Sequence, residues 1–109
     1  MAPSSDVLQG TLDLLVLKAL ALAPMHCWGI SQRIQQLSRD ALRIGQGSLY
    51  PALYRLERKG FVKSEWSTTE NNREAKYYQL TAQGRRQLRT KTAVWTEYAS
   101  AVFQVLQTS

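Results

Sequence analysis

Gly47-Ser48-Leu49-Tyr50-Pro51-Ala52-Leu53-Tyr54-Arg55-Leu56-Glu57-Arg58-Lys59-Gly60-Phe61-Val62 is the stretch that decides how the chain is read. Leu49, Leu53 and Leu56 are spaced four and three apart, which puts three leucines on one face of a helix. Ser48 is placed to accept from the backbone N–H groups of the first turn. With Ser48 as the cap, Pro51 is the third helical residue, where a missing N–H leaves no helical bond unmade. Gly60 suits the left-handed residue that closes a helix. Phe61 and Val62 then open a β-prone run. The other face carries Tyr50, Tyr54, Arg55 and Arg58, with Lys59 at its border. A short helix with a greasy inner side and a Tyr/Arg outer side has the chemistry of a recognition helix. The plainer alternative is an amphipathic helix whose charges are merely solvated.

Charge around this stretch favours the first reading. The chain has 109 residues, one small domain, with a net charge of +6. Thirteen of the fourteen Lys and Arg lie between Arg33 and Lys91, against five carboxylates. That segment is +8 and the remainder −2, so the positive field is concentrated. Such a field attracts polyanions, either nucleic acid or an anionic membrane. Membrane insertion is disfavoured, because the densest apolar run, Leu14 to Ala23, contains Lys18 and is about half the ~20 residues a spanning helix needs. The first 25 residues lack the basic start of a secretory signal, and Cys27, the single cysteine, has no intrachain disulfide partner. A cytoplasmic location is the expectation.

Upstream, residues 1–7 read as an irregular lead containing Pro3, Ser4 and Ser5. Leu8 to Ala23 is a helix with Leu8, Leu12, Leu15, Ala19 and Leu22 on one face and Leu14, Leu17 and Ala21 on a second. A helix apolar on nearly all sides is covered by more than one neighbour, and in so small a domain a second subunit is expected to supply part of that cover. Pro24 ends it. Met25 to Gly29 is a turn, and His26 is a candidate cap for a second helix running to about Ser38. That helix turns Trp28, Ile30, Ile34 and Leu37 inward. A connector from Ala41 to Gly45 follows, in which Ile44 is a candidate for an isolated strand pairing.

Downstream, Phe61 to Ser67 and Arg73 to Leu80 are strands joined by a polar turn with two asparagines, which tolerate positive φ. Tyr77 and Tyr78 point to opposite faces, so one belongs to the core. Thr81 is a candidate cap for a long final helix. Leu88, Thr92, Trp95, Ala99, Val102 and Leu106 form a near-heptad stripe on it that nothing later in the chain covers. Three helices, a hairpin and a further helix make a mainly α chain with a β-hairpin: a winged helix-turn-helix over 1–80 and a C-terminal dimerisation helix over 81–109, packed as one unit. In that layout the third helix enters the major groove and the hairpin lies against backbone or minor groove.

Nearly the whole chain also resembles the PadR-type transcriptional regulators. The matching stretches are Leu8-Gln9-Gly10-Thr11-Leu12, then Gly47-Ser48-Leu49-Tyr50-Pro51-Ala52-Leu53 with Leu56-Glu57 and Gly60, then Tyr77-Tyr78-Gln79-Leu80-Thr81 with Gly84. The single helix after the wing is similar to the compact branch of that family. The resemblance implies a homodimeric regulator, usually a repressor, bound to an operator and released by a small effector. Where the family commonly has glycine in a His-Gly-Tyr-like stretch, this chain has Cys27. A positive φ there would strain Cys27. The thiol is either a small core residue or, less in keeping with free cysteines generally, a redox-sensitive group.

The DNA-binding candidates are Gln46, Ser48, Tyr50, Pro51, Tyr54 and Arg55 on the third helix, and Asn71, Asn72, Arg73 and Lys76 in the wing. Tyr54 packing against the wing, and a merely polar hairpin tip, are the alternatives. Trp28 and Trp66 read as core or interface packing. The dimer candidates are Leu88, Trp95, Ala99, Val102, Phe103 and Leu106. In a two-fold dimer Trp95 approaches its own symmetry mate, and paired indoles can sandwich a planar aromatic molecule. Some relatives in the compact branch, to which the resemblance points, bind planar drugs between such rings. Trp95 with Leu12, Leu15 and Ala99 is therefore the effector-site candidate, or else Trp95 simply fills its own volume at the interface. One His and one Cys build no zinc site, and Gly45-Gln46-Gly47 is not a phosphate loop. No cofactor, metal or enzymatic activity is expected. The competing reading is a winged-helix module that binds protein, or binds DNA structurally, without an effector.

Overall fold

The computed structural model describes residues 5–108, with side chains from Gly10 onward. The elements are α1 (Ser5–Leu22), β1 (Met25–His26), α2 (Cys27–Leu37), α3 (Gln46–Arg58), β2 (Val62–Thr68), β3 (Glu74–Leu80) and α4 (Ala82–Leu106). The expected mainly α winged helix-turn-helix with a long C-terminal helix is the observed architecture. The sheet has three strands in the order β1-β3-β2, all antiparallel. Met1–Ser4 of the expected irregular lead lie outside the described residues, whereas Ser5 to Val7 already belong to α1.

The core is where α1, α2 and α3 meet the base of the sheet. Val16, Leu17 and Leu20 of α1 close on Ile30 and Ile34 of α2, on Leu49, Leu53 and Leu56 of α3, and on Val62, Tyr78 and Leu80 of the hairpin. The leucine triad of α3 is fully inside, at 0 to 1% exposure. For α1 the two expected apolar faces are buried only in part, with Ala19 of the first and Leu17 of the second fully inside. Val16 and Leu20 are buried, Leu12 and Leu15 only partly, and Leu22 is exposed. A helix apolar all round carries no phase information, so its neighbours decide which side goes in.

Both ends of α3 are informative. Gly60, at φ +81°, closes it: Phe61 N–H donates to the Leu56 carbonyl and Gly60 N–H to that of Glu57. This is the paired-bond glycine stop. The start lies three residues earlier than expected. Gly45 is the cap, with no side-chain cap bond, and its carbonyl accepts from Ser48 and Leu49. Ser48 is thus the third helical residue and Pro51 the sixth. There the proline does remove a helical bond, the one to the Gly47 carbonyl, but Gly47 is exposed and water reaches it.

His26 caps α2 as expected, its Nδ1 accepting from Gly29 N–H at 3.0 Å. Cys27 is the first residue of that helix and is not among the positive-φ residues, so the expected strain is absent. The extra strand pairing falls to Met25–His26 against Tyr78–Tyr77, and not to Ile44, whose carbonyl instead accepts from the Ser31 hydroxyl at 2.6 Å. Trp28 and Leu37, expected inside, are 56% and 57% exposed.

The joint between wing and α4 is tight. Thr81 caps α4 by accepting from Gly84 N–H, and its hydroxyl donates to the Gly60 carbonyl at 2.7 Å. Gly84 lies so close that a Cβ there would sit 1.9 Å from the Phe61 carbonyl oxygen. Only glycine allows this approach. Leu88 packs on the core, and α4 also packs along α1, but most of its apolar side chains beyond Leu88 stay exposed. Val94, Trp95, Tyr98, Phe103, Val105 and Leu106 are each between 45% and 72% exposed.

Candidate nucleic-acid interface

Three elements converge on one open groove of about 790 Å³: the start of α2, the start of α3 and the outer half of the hairpin. Five of the sequence candidates line it, namely Gln46, Tyr50, Asn71, Arg73 and Lys76. Ser48, Pro51 and Tyr54 lie exposed on α3 but do not line the groove, and Asn72 lies at the hairpin tip with φ +59°. The tip is a closed loop in which Thr69 N–H donates to the Arg73 carbonyl at 2.7 Å, holding Asn71 and Arg73 outward.

Pairing register explains why the hairpin reaches the groove. Val62 faces Leu80, Ser64 faces Tyr78, Trp66 faces Lys76 and Thr68 faces Glu74, all on one side of the ribbon. Exposure rises along that side from Val62 at 2% to Trp66 at 68%, because the ribbon leaves the body as it runs outward. Glu57 of α3 ties the two together. Its carboxylate accepts from the Ser64 hydroxyl at 2.6 Å and lies 3.9 Å from the Lys76 ammonium. Lys76 also stands 5.8 Å over the Tyr78 ring.

Arg55 departs from expectation. Its guanidinium donates to the Asp13 carboxylate at 2.8 Å, across to α1, and is not on the outer face with Tyr50. Asp13 is the one buried charged residue among those described, and Arg55 is its counter-ion. The outer cation of α3 is Arg58, which stacks 5.7 Å over the exposed Tyr54 ring. Tyr54 is 62% exposed, so it is not packed away beneath the wing.

Sequence reasoning missed the aromatic lining. His26, Trp28 and Trp66 belong to the groove, and the His26 ring meets Tyr77 edge-on at 5.2 Å. Cys27 lies beneath, buried, with Tyr50 beside it in the groove lining. Burial pushes the thiol up from its ordinary value, and the neighbouring Tyr50 hydroxyl partly offsets this. Proximity to Cys27 in turn raises the Tyr50 phenol, with burial adding to it. Tyr78 is raised chiefly by burial, then by Glu57. Both partners of the Cys27–Tyr50 contact are therefore neutral at pH 7.

A basic helix with an exposed Tyr/Arg face beside a protruding hairpin is the apparatus of a winged-helix DNA-binding protein. The comparisons specify which kind. Residues 16–90 match the Transcriptional regulator PadR-like family. A transcriptional regulator of Mycobacterium tuberculosis is 37% identical over 68 residues, covering 62% of this chain and 63% of its own. Among solved structures, a PadR family transcriptional regulator from Eggerthella lenta is 32% identical with a TM-score of 0.77, covering 95% of this chain and 88% of its own. A transcriptional regulator from Clostridium thermocellum is 27% identical with a TM-score of 0.81, covering 94% and 97%. The chain belongs to the PadR-like family and is a DNA-binding transcriptional regulator, not an enzyme. No helix among the described residues is long and apolar enough to cross a membrane.

Proposed function

We propose that the protein is a homodimeric repressor that reads an inverted-repeat operator through α3 and the wing, and is released by a small aromatic effector. One juxtaposition carries the operator reading: Gln46 and Tyr50 of α3 share a groove with Asn71 and Arg73 of the hairpin, so a duplex that meets one meets the other. The exposed apolar run of α4 supports the dimer, since such a patch on a soluble monomer calls for a partner. Leu88, Trp95, Ala99, Val102, Phe103 and Leu106 form the proposed contact. For the effector, Trp95 and Ala99 of α4 together with Leu12 and Leu15 of α1 are the proposed site. Leu12 and Leu15 are partly buried against the core, and Trp95 is 45% exposed and free to meet its mate.

Enrichment of binding sequences from a random DNA pool tests the operator reading. The expected product is an inverted repeat with half-sites roughly 34–36 Å apart, bound with a steep salt dependence. Arg73→Ala is expected to weaken operator and unrelated duplex alike, and Tyr50→Ala to erode preference for the operator. Equal affinity for every duplex would overturn sequence-specific reading. For the effector, saturable quenching of tryptophan fluorescence by p-coumarate or 9-aminoacridine is expected, and its survival in Trp95→Ala would move the site elsewhere.

A further inference from the structure

The groove between α3 and the hairpin has a lining that base reading by Tyr50 and phosphate contact by Arg73 leave unused. Trp28 at the start of α2 and Trp66 on β2 both border it, 56% and 68% exposed. Neither belongs to the apolar run of α4 on which the proposed dimer contact is placed. Resting on the operator reading above, we propose that these two tryptophans clamp the sugar-phosphate strand that separates the major groove from the adjacent minor groove.

The argument is one of position first. A helix in the major groove and a hairpin against the backbone or minor groove lie on either side of one strand. The cleft between them must therefore straddle that strand, and here the cleft is bordered by indoles. Charge does not explain the lining. Arg73 and Lys76 are matched in number there by Glu70 and Glu74, so the charges of the lining itself sum to zero. What it offers is aromatic surface for the apolar edges of deoxyribose, and two indole N–H groups that only donate, which suits phosphate oxygen. His26 supports the arrangement. It caps α2 through Gly29, and its ring lies 6.2 Å from that of Trp28 and 5.2 Å from that of Tyr77. His26 thus stands between Trp28 and Tyr77 of β3.

The clamp has a signature that distinguishes it from a cationic contact. A neutral indole releases no counterion, so its loss lowers affinity without changing the salt slope. Anisotropy titrations with the enriched operator and a scrambled duplex, across a salt series, test this on the full chain. Trp28→Ala and Trp66→Ala are each expected to bind both duplexes about five- to tenfold more weakly, from lost apolar contact, with the wild-type slope. Thermal melts should match the wild type, since both side chains are largely exposed. An independent readout uses the three tryptophans separately. Trp95→Phe leaves Trp28 and Trp66 as the only indoles, and DNA should quench their emission. The Trp28→Phe/Trp66→Phe protein, with Trp95 alone, should show a clearly smaller DNA response, limited to what the α4 contact transmits. Wild-type affinity in both alanine variants, or a salt slope reduced by about one, would overturn the clamp. Wild-type protein that binds no duplex would overturn the operator reading and the clamp with it.

Discussion

Asp13 and Arg55 offer a sharp test of how the recognition helix is held. The pair joins α1 to α3 at 2.8 Å, with side-chain exposures of 8% for Asp13 and 28% for Arg55. The two partners are unequal, and the singles should differ accordingly. Arg55→Met leaves a carboxylate in a site water scarcely reaches, and breaking a buried pair from that side costs about 3–4 kcal/mol. Asp13→Asn keeps shape and an acceptor, while the guanidinium can still swing to solvent. Its cost is that of one charge-assisted hydrogen bond discounted for screening, about 1–2 kcal/mol. In the double variant the stranded charge is gone, so the total falls well below the sum of the singles, by about 1–2 kcal/mol. Urea unfolding followed by circular dichroism, at one fixed protein concentration, measures all four corners of the cycle. Singles that add to within about 0.5 kcal/mol would refute the reasoning. The same proteins settle whether Arg55 touches phosphate. A structural Arg55 leaves the salt slope of DNA binding unchanged, whereas a phosphate contact would lower it by about one.

Gly84→Ala drives a methyl group into the Phe61 carbonyl, so a loss of about 2–4 kcal/mol is expected in the same unfolding assay, and a negligible shift would mean that the joint between wing and α4 yields easily. Val102→Asp places an unpaired charge in the proposed α4 contact; light scattering at micromolar concentration should report a monomer, and a persistent dimer would place the interface elsewhere. Stability should fall in alkali. Cys27, Tyr50 and Tyr78 all have pKa values raised by folding, so the unfolded chain loses these protons first and the native state is disfavoured as pH rises past the ordinary thiol value of 9.0. Urea midpoints that stay level from about pH 8 to pH 10.5 would contradict those shifts.

Much of the fold was legible because period and punctuation agreed. Leu49, Leu53 and Leu56 with Gly60 marked α3 and its end, and the paired asparagines marked the hairpin turn, where Asn72 does take positive φ. The start of α3 was misplaced because Gly45 caps without a side chain, and a cap made by backbone alone leaves no residue signature. β1 escaped because two residues carry no period, and its partner lies some fifty positions away. The site was less legible for a related reason. Hydrophobicity says that Trp28 and Trp66 are costly to expose, but not that the hairpin leaves the body before Trp66 is reached. Arg55 read as outward because its counter-ion is 42 residues distant, and a helix face shows charge but not its partner.

The internal ties of the domain bear on how an event at α4 would reach DNA. The first turn of α4 is fastened to the end of α3 through Thr81, Gly60, Phe61 and Gly84. α1, which packs between α4 and the core, is fastened to the middle of α3 through Asp13. α3 is thus gripped at two points, by the two helices that the proposed dimer would bring to its interface. A shift of α4 against its mate cannot then be absorbed by a loose connection within the subunit, and would carry both recognition helices with it. In a two-fold assembly that changes the spacing of the reading heads, the one quantity to which an inverted repeat is most sensitive. The size of the response is bounded by the ligand's own preference between the two dimer geometries. An effector that binds both equally tightly releases nothing, and moving the population from 1:99 to 99:1 demands about 5.5 kcal/mol of difference. A rigid link from α4 to α3 leaves that difference to be made at the proposed α4 contact itself, where Trp95 is the proposed point of ligand contact.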